Sequence, residues 1–334
     1  MRFSIRLAGA AVAAASLVVF CSASASASNP VNVTRGVTYA DTTPAAAWTS
    51  PTMDIYAPAG ARDLPLVVFL VPHSLETTSY PVHAQLARAV ARAGAVVAVA
   101  SWSEVADGPD EASNIKVALK RFNNTTAMAT CAVSFAVSTA VRYGANPSRL
   151  ILAGQLYGAN TASILALGKH PAYADCRTHR TGWKAKALVG WDGDWIGLIP
   201  LWDRFGKASS QVMDAITPWP MVATASRIPM TLVTTDAFQP VSTRCNVSKA
   251  QWLAWRDPTG EIRARLNAAN ALADDCVNLA DAAQVMAAKA AEHGFAVNVV
   301  HLTGKTSTEE KLTPADLNTL AKTIADAGRA TLRR

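Results

Sequence analysis

In this 334-residue chain, the clearest indication of the fold class comes from residues 149–160, RLILAGQLYGAN. Its first residues after Arg149 are apolar without interruption, as in a strand that is buried on both faces of a parallel sheet. Gly154 and Gly158 then flank a short turn, and a helical pattern follows. A buried strand that passes through a tight turn into a helix is the repeating unit of doubly wound α/β proteins. We therefore expect the rest of the chain to alternate in the same way.

Strand-like apolar runs do alternate with helical patterns over most of the length. Consecutive parallel strands are expected to be joined by right-handed crossovers. The sequence thus predicts one α/β domain over residues 28–334, built on a doubly wound, mainly parallel sheet. Strands are predicted at 52–58, 65–71, 95–101, 149–154, 185–191, 229–235 and 296–302, and helices at 83–94, 129–144, 157–168, about 280–293 and 314–332.

Two stretches, about 192–225 and 241–279, break the alternation and are interpreted as cap insertions. Tryptophans are concentrated within or beside them. Such rings either line a pocket for an apolar or ring-shaped ligand or form the small core of the cap, and the sequence leaves both open. The tryptophans concerned are Trp183, Trp191, Trp195, Trp202, Trp219, Trp252 and Trp255.

The N-terminus has the pattern of a secretory signal peptide. Arg2 and Arg6 precede an uncharged apolar run, and small residues follow in CSASASAS. The run is shorter than the roughly 20 apolar residues that a membrane span needs. We expect residues 1–27 to be removed and the mature protein to be secreted, or periplasmic in a bacterium.

Composition excludes several classes of partner. The formal net charge is +7, but lysines and arginines are scattered along the sequence, which gives little support to nucleic-acid or membrane-surface binding. No phosphate-binding loop or dinucleotide fingerprint is present, so no cofactor is predicted. Asp192 and Asp194 in GWDGDW form a weak metal-binding pattern, and a solvated turn explains them better.

Four cysteines follow the signal peptide, and an even number in an exported protein favours disulfides. Three pairings are possible. We favour Cys131–Cys176 together with Cys245–Cys276, the second of which would close one insertion. Free buried thiols are the alternative, and no cysteine spacing is typical of a zinc site.

From about Met53 to Ala330 the chain resembles the α/β-hydrolase superfamily, in particular its secreted esterase- and lipase-like members. MDIYAPAGARDLPLVVFLVPH resembles the opening hairpin and central strand, YGANPSRLILAGQLYGANTA the approach to the nucleophile elbow, and PMTLVTTDAFQPV the strand that carries the acid. The elbow of that family reads G-x-S-x-G. Here Gly154 and Gly158 keep the glycine positions, and Leu156 stands at the position of the serine.

The resemblance also gives the positions of the other catalytic groups. The acid corresponds to Gln239, with Asp236 as a fallback. The histidine is expected a few residues after Gly304, where the chain reaches Ser307 without one, and His301 is the fallback. A leucine has no lone pair with which to attack a carbonyl. We expect catalysis by this mechanism to be lost.

Binding groups are predicted from the same resemblance. The oxyanion loop that normally carries HGGG keeps its histidine and loses its glycines. Backbone N–H groups in such a loop still bind a carbonyl oxygen. The predicted oxyanion and ligand-binding residues are His73, Ser74, Leu75, Tyr157, Trp191 and Trp195.

The leading functional prediction is a secreted, non-catalytic protein that binds a small apolar or ester-like ligand, or a protein partner, at the former substrate cleft. The alternative is an active carboxylesterase or lipase-like hydrolase with a displaced nucleophile. It would use His73 or His301 as base and Asp236 as acid. The candidate nucleophiles are Ser74, Ser101, Ser103 and Ser307.

Overall fold

The structure of the protein is a computed structural model. The predicted signal peptide lies outside the residues that it describes. Those residues are 30–41, 50–72, 81–102, 115–178, 180–197, 214, 217–235, 250, 253, 257, 259–268, 279–302 and 312–330, without the side chains of 115–118 and 121.

One sheet of eight strands forms the centre of the described part of the chain. Its strands are β1 (Val31–Thr38), β2 (Thr52–Pro58), β3 (Leu64–Leu70), β4 (Val96–Ala100), β5 (Ala145–Gln155), β6 (Ala187–Trp191), β7 (Met230–Thr235) and β8 (Val297–Leu302). They lie in the order β1-β2-β4-β3-β5-β6-β7-β8. The pairs β1–β2 and β2–β4 are antiparallel and all the others are parallel. The predicted doubly wound, mainly parallel sheet is confirmed.

Helices cover both faces of this sheet. The described α-helices are α1 (Pro81–Arg92), α2 (Ile115–Thr139), α3 (Tyr157–Ala166), α4 (Glu261–Ala268), α5 (Leu279–Glu292) and α6 (Pro314–Ala330). The chain moves from β3 to β4 in one direction along the sheet, and from β4 to β5 and then to β6 in the opposite direction. Right-handed crossovers therefore place α1 on one face of the sheet and α2 and α3 on the other. The last helix, α6, packs against α1. Residues of β3, β4 and β5 are therefore buried on both sides, which explains their unbroken apolar sequences.

The long helix α2 differs from its predicted range of 129–144. It begins at Ile115 and ends at Thr139, and a 3₁₀ turn continues to Gly144, whose φ is 78°. The sequence NNTT at 123–126 has poor helix propensity and hides this first half. In the structure, the hydroxyls of Thr126 and Thr130 donate to carbonyls one turn back, so these polar groups are satisfied within the helix.

A disulfide fastens α2 to the loop that follows α3. Cys131 and Cys176 are bonded, with their Cα atoms 5.6 Å apart, as the sequence analysis favours. Cys176 also forms an isolated bridge with Ala40, just after β1. Cys245 and Cys276 lie outside the described residues, so their pairing stays a prediction.

Removing this disulfide is expected to lower the free energy of unfolding by about 2–4 kcal/mol, because it constrains a 45-residue loop of the unfolded chain. The variant is Cys131→Ala/Cys176→Ala, and the measurement is urea unfolding followed by far-ultraviolet circular dichroism. Ala129→Gly/Ala132→Gly, two changes within the same helix, serves as a comparison for altered helix propensity. A disulfide variant as stable as the native protein would contradict the expectation.

The structure describes parts of both predicted cap insertions, residues 217–225 and 259–268. Trp219, in a 3₁₀ turn, lies 4.0 Å beneath the ammonium group of Lys289 on α5. Lys289 is 3.1 Å from a carboxylate oxygen of Glu261 at the start of α4. These contacts join the described parts of both insertions to α5.

Among the described helices, none combines the length and the apolar character needed to cross a bilayer.

Candidate functional site

The candidate site lies where the parallel strands end, at the turn between β5 and α3. Leu156 occupies this turn with φ 52° and ψ −120°, a conformation that residues with a Cβ atom rarely adopt. Its N–H donates to the carbonyl of Trp191 on β6, at 2.9 Å, and its carbonyl accepts from the N–H of Asn160, at 3.0 Å. The turn therefore has the sharp, strained strand-to-helix geometry that characterises a nucleophile elbow.

The two glycines are required by close packing around this turn. A Cβ atom on Gly154 would lie 2.4 Å from backbone atoms of Gly158, and one on Gly158 would lie 2.1 Å from the carbonyl oxygen of Leu70 at the end of β3. Both distances are far below van der Waals contact. Close packing of strand and helix therefore requires glycine at both positions, although Leu156 between them has no nucleophilic atom.

The strain at Leu156 predicts that glycine is a more stable replacement than alanine at this position, the reverse of the usual order in a helix. Leu156→Gly should be more stable than Leu156→Ala by about 1–3 kcal/mol, because glycine alone relieves a positive φ. At Leu165, an ordinary buried position in α3, the alanine variant should be the more stable of the two. Chemical denaturation of the four variants tests this expectation. The same order at both positions would mean that residue 156 is not strained.

The residue before the turn is held by a histidine that sequence reasoning missed. Gln155 is 1 % exposed, and its side-chain oxygen lies 2.7 Å from Nε2 of His83 on α1. The ring of His83 also packs against Phe69 of β3. Burial lowers the pKa of His83 to about 4, although the hydrogen bond to Gln155 raises it. At neutral pH, His83 is a neutral imidazole, and an Nε2-protonated ring donates to Gln155.

A buried carboxyl group lies at the end of the neighbouring strand. Asp192 follows β6 with φ 47°, and its two carboxyl oxygens are 2.8 Å from the N–H and 2.7 Å from the hydroxyl of Thr235 on β7. Burial raises the pKa of Asp192 to about 7, against the two hydrogen bonds from Thr235, which lower it. Burial therefore favours the protonated form of this carboxyl group in the folded protein.

Asp192 and Asp194 are both buried, at 1 % and 3 % exposure, so the turn that contains them is not solvated. Within the described residues, no group of three or more His, Cys, Asp and Glu side chains is arranged to hold a metal ion. The weak metal pattern in GWDGDW gains no further ligand from the described neighbours.

The predicted aromatic ligand-binding residues fall into two groups. Tyr157, the first residue of α3, is half-buried beside Leu156. Trp191 and Trp195 are 2 % and 0 % exposed, and the indole N–H of Trp195 donates to the Ser163 hydroxyl at 3.2 Å. The two indoles belong to the core in this structure. Their role in ligand binding stays a prediction, as does that of Tyr157.

Of the fallback catalytic residues, His301 is described. It is exposed near the end of the edge strand β8, and its Nδ1 lies 3.1 Å from the hydroxyl of Thr234. Among the candidate nucleophiles Ser101 is described, and it is fully buried at the end of β4, where its carbonyl accepts from the hydroxyl of Tyr39. The other predicted catalytic and oxyanion positions lie outside the described residues; they are His73, Ser74, Leu75, Ser103, Asp236, Gln239 and Ser307.

Solved structures of esterases share this architecture. A truncated carbohydrate esterase from gut microbiota is 11 % identical, with 91 % of this chain and 98 % of that chain covered and a TM-score of 0.56. The thermophilic esterase Est2 of the planctomycete Thermogutta terrifontis, in its propionate-bound form, is 15 % identical, with 88 % and 94 % covered and a TM-score of 0.52. Carboxyl esterase 2 of the fungus Tuber melanosporum is 11 % identical, with 92 % and 89 % covered and a TM-score of 0.51.

No family model matches the chain, and no curated protein matches it by sequence. At identities this low, the structural likeness defines the fold. The chain has the α/β-hydrolase fold that these esterases share, and the resemblance expected from its sequence is confirmed at that level.

Proposed function

We propose that this protein is an exported, non-catalytic member of the α/β-hydrolase fold that binds a small apolar or ester-like ligand at the turn around Leu156. One observation carries the proposal. The side chain at the position of the nucleophile is a hydrocarbon, although the turn keeps the strained backbone that would present a nucleophile.

The polarity of the turn supports an apolar ligand. Two buried polar side chains on either side are engaged within the protein, Gln155 with His83 and Asp192 with Thr235. From Gly154 to Gly158, the half-buried residues are Leu156 and Tyr157, and the others are buried. Within the described turn, the partly exposed side chains are therefore a hydrocarbon and an aromatic ring.

The start of α3 supports an ester-like ligand in particular. The first N–H groups of a helix have no carbonyl partner within the helix, and they favour an acceptor oxygen at the N-terminus. Here the first turn of α3 follows Leu156 directly and includes Gly158 and Ala159. An ester with its carbonyl oxygen at this end of α3 would place an alkyl group against Leu156, and the protein would leave the ester intact.

Saturation-transfer NMR with ethyl butyrate and ethyl hexanoate tests the binding. We expect transfer to the alkyl protons for the native protein and a loss of affinity of about tenfold for Leu156→Glu, since a carboxylate replaces the apolar contact. Val141→Glu makes a similar change at a side chain that is 74 % exposed and should leave binding unchanged. Equal behaviour of the two variants would place the ligand elsewhere.

Turnover decides between this proposal and the active-hydrolase alternative. We expect hydrolysis of 4-nitrophenyl acetate and butyrate at the rate of buffer, and no covalent labelling by a fluorophosphonate. Turnover well above buffer that the fluorophosphonate abolishes would refute the proposal, and mass spectrometry of the labelled peptide would then identify the displaced nucleophile.

A further inference from the structure

The lysines and arginines are spread along the sequence, but acidic residues are almost absent from one part of it. Residues 112–191 contain ten lysines and arginines and a single acidic residue, Asp175. The rest of the chain contains 21 basic and 23 acidic residues. The entire net positive charge therefore comes from these 80 residues, which matters because charge asymmetry of this kind is typical of a surface that binds polyanions.

The fold places half of this charge in one exposed loop. We call residues 169–186, between α3 and β6, the basic loop. Its side chains at 177, 180, 184 and 186 are exposed and the one at 169 is half-buried. The five cations of the loop are Lys169, Arg177, Arg180, Lys184 and Lys186.

The basic loop is fastened along α2 at several points. Cys176 is bonded to Cys131, and the buried Trp183 donates from its indole N–H to the hydroxyl of Ser134 at 3.1 Å. His170 stacks on Trp183 with 3.9 Å between the ring centroids. A loop held in this way presents its charges in a fixed arrangement, so little further conformational entropy is lost on binding.

Two cationic side chains mark the extent of the loop along the helix. The ammonium group of Lys169 lies 5.7 Å from the ring of Phe122, and a guanidinium nitrogen of Arg180 lies 3.5 Å from the carbonyl oxygen of Val137. Fifteen residues of α-helix span about 22 Å. Two cations of the loop therefore lie against α2 at points about four helical turns apart.

Few carboxylates neutralise this surface. Arg177 pairs with the exposed Asp41 at 2.6 Å. Within the described residues, no carboxylate forms an ion pair with Arg180, Lys184 or Lys186. These three exposed cations are available to an external anion.

We propose that the basic loop binds a carboxylated polysaccharide, through Arg180, Lys184 and Lys186. A polymer that carries a carboxylate on every unit can pair with several of these cations at once, and guanidinium groups pair with carboxylates through two parallel hydrogen bonds. The export predicted from the N-terminus would bring the protein into contact with such polymers.

Other polyanions fit this surface less well. Single-stranded nucleic acids stack successive bases on several exposed aromatic rings, whereas Trp183 is buried and His170 is the one exposed aromatic side chain among the described residues of the basic loop. Membrane surfaces are bound with the help of exposed apolar side chains. Apart from residue 179, which is not described, the basic loop exposes no large apolar side chain.

This proposal is independent of the function proposed for the turn at Leu156. Lys184 and Lys186 precede β6, so they lie at the amino end of the parallel strands. Leu156 lies at the carboxyl end. A polymer on the basic loop leaves the ligand site accessible, and the failure of either proposal would not affect the other.

The test is binding of alginate oligosaccharides, which carry one carboxylate on each sugar, by isothermal titration at rising salt concentration. We expect affinity to fall as salt rises, and Arg180→Gln/Lys184→Gln/Lys186→Gln to lower it by about tenfold or more. Arg35→Gln/Arg62→Gln/Arg92→Gln removes the same charge from exposed positions elsewhere and should change it by less than about threefold.

Parallel titrations with duplex DNA and with phosphatidylglycerol vesicles complete the test. The proposal predicts that both bind more weakly than alginate. It is refuted if alginate does not bind at about 50 mM salt, if the two triple variants lose affinity equally, or if DNA or vesicles bind more tightly. Thermal unfolding of each variant establishes that the fold is retained.

Discussion

Replacing Gly158 by alanine is expected to destabilise the protein by about 3 kcal/mol or more, although alanine is the better helix former by about 1 kcal/mol. The added Cβ would lie 2.1 Å from the carbonyl oxygen of Leu70 and 2.6 Å from that of Val71. Both atoms belong to the backbone, so no side-chain rotation relieves the overlap. Helix α3 would have to move away from the end of β3, and the turn at Leu156 would move with it.

Denaturant unfolding measures this effect, and the sign of the change is as informative as its size. Gly60→Ala is the matched control, because φ is +70° there and a Cβ atom meets nothing within 4 Å. That variant should lose only the roughly 1 kcal/mol that a positive φ imposes on alanine. If Gly158→Ala gains stability, or loses no more than the control, helix propensity rather than packing governs the position.

The second large effect is expected at Asp192, as a change in the pH dependence of stability. Burial raises the pKa of this carboxyl group from 3.8 to about 7, so the folded protein keeps a proton that the unfolded chain releases near pH 4. The unfolded state then binds fewer protons, and the native protein loses stability as pH rises from about 4 to about 7. The shift corresponds to about 4 kcal/mol over this range.

Asp192→Asn removes this dependence and keeps the shape of the protonated acid. The amide can accept the N–H of Thr235 and donate to its hydroxyl, and asparagine tolerates the φ of 47° at this position. Relative to the native protein, the variant should gain about 4 kcal/mol between pH 4 and pH 7 and no more above that.

Urea unfolding of both proteins at intervals of half a pH unit gives the difference directly. The buried His83, whose pKa is lowered to about 4, gives the opposite trend between about pH 4 and 6.5, because its unfolded form binds the extra proton. Since His83 is present in both proteins, its contribution cancels in the comparison. A difference that does not vary with pH would show that Asp192 is ionised in the folded state.

Much of the architecture follows from residues that are local in sequence. The apolar runs of the central strands predict burial on both faces, and Gly154 and Gly158 predict the turn at Leu156 because only their lack of side chains allows strand and helix to meet. The edge strand β1 is missed, since its residues are half-exposed and make no continuous apolar run. The first half of α2 is missed because threonine has low helix propensity. In the structure, threonine hydroxyls donate to helix carbonyls one turn earlier, and propensity does not include these hydrogen bonds.

The polar contacts of the candidate site depend on residues distant in sequence. His83 and Gln155 are 72 positions apart, and Asp192 and Thr235 are 43 apart. No local pattern indicates that these pairs meet, and a histidine near the start of a helix has no distinctive sequence signal. The basic loop presents the same difficulty, because its lysines and arginines look dispersed in the sequence, and the disulfide and the Trp183 hydrogen bond that hold the loop against α2 join residues distant in sequence.

The junction of Cys131, Cys176 and Ala40 also has a consequence for producing the protein. It holds together three segments that are far apart in sequence, which are helix α2, the basic loop and the chain just after β1. Material made in a reducing bacterial cytoplasm would lack this covalent fastening. Recombinant samples for crystallisation or binding studies should therefore come from the periplasm, or from a host strain with an oxidising cytoplasm.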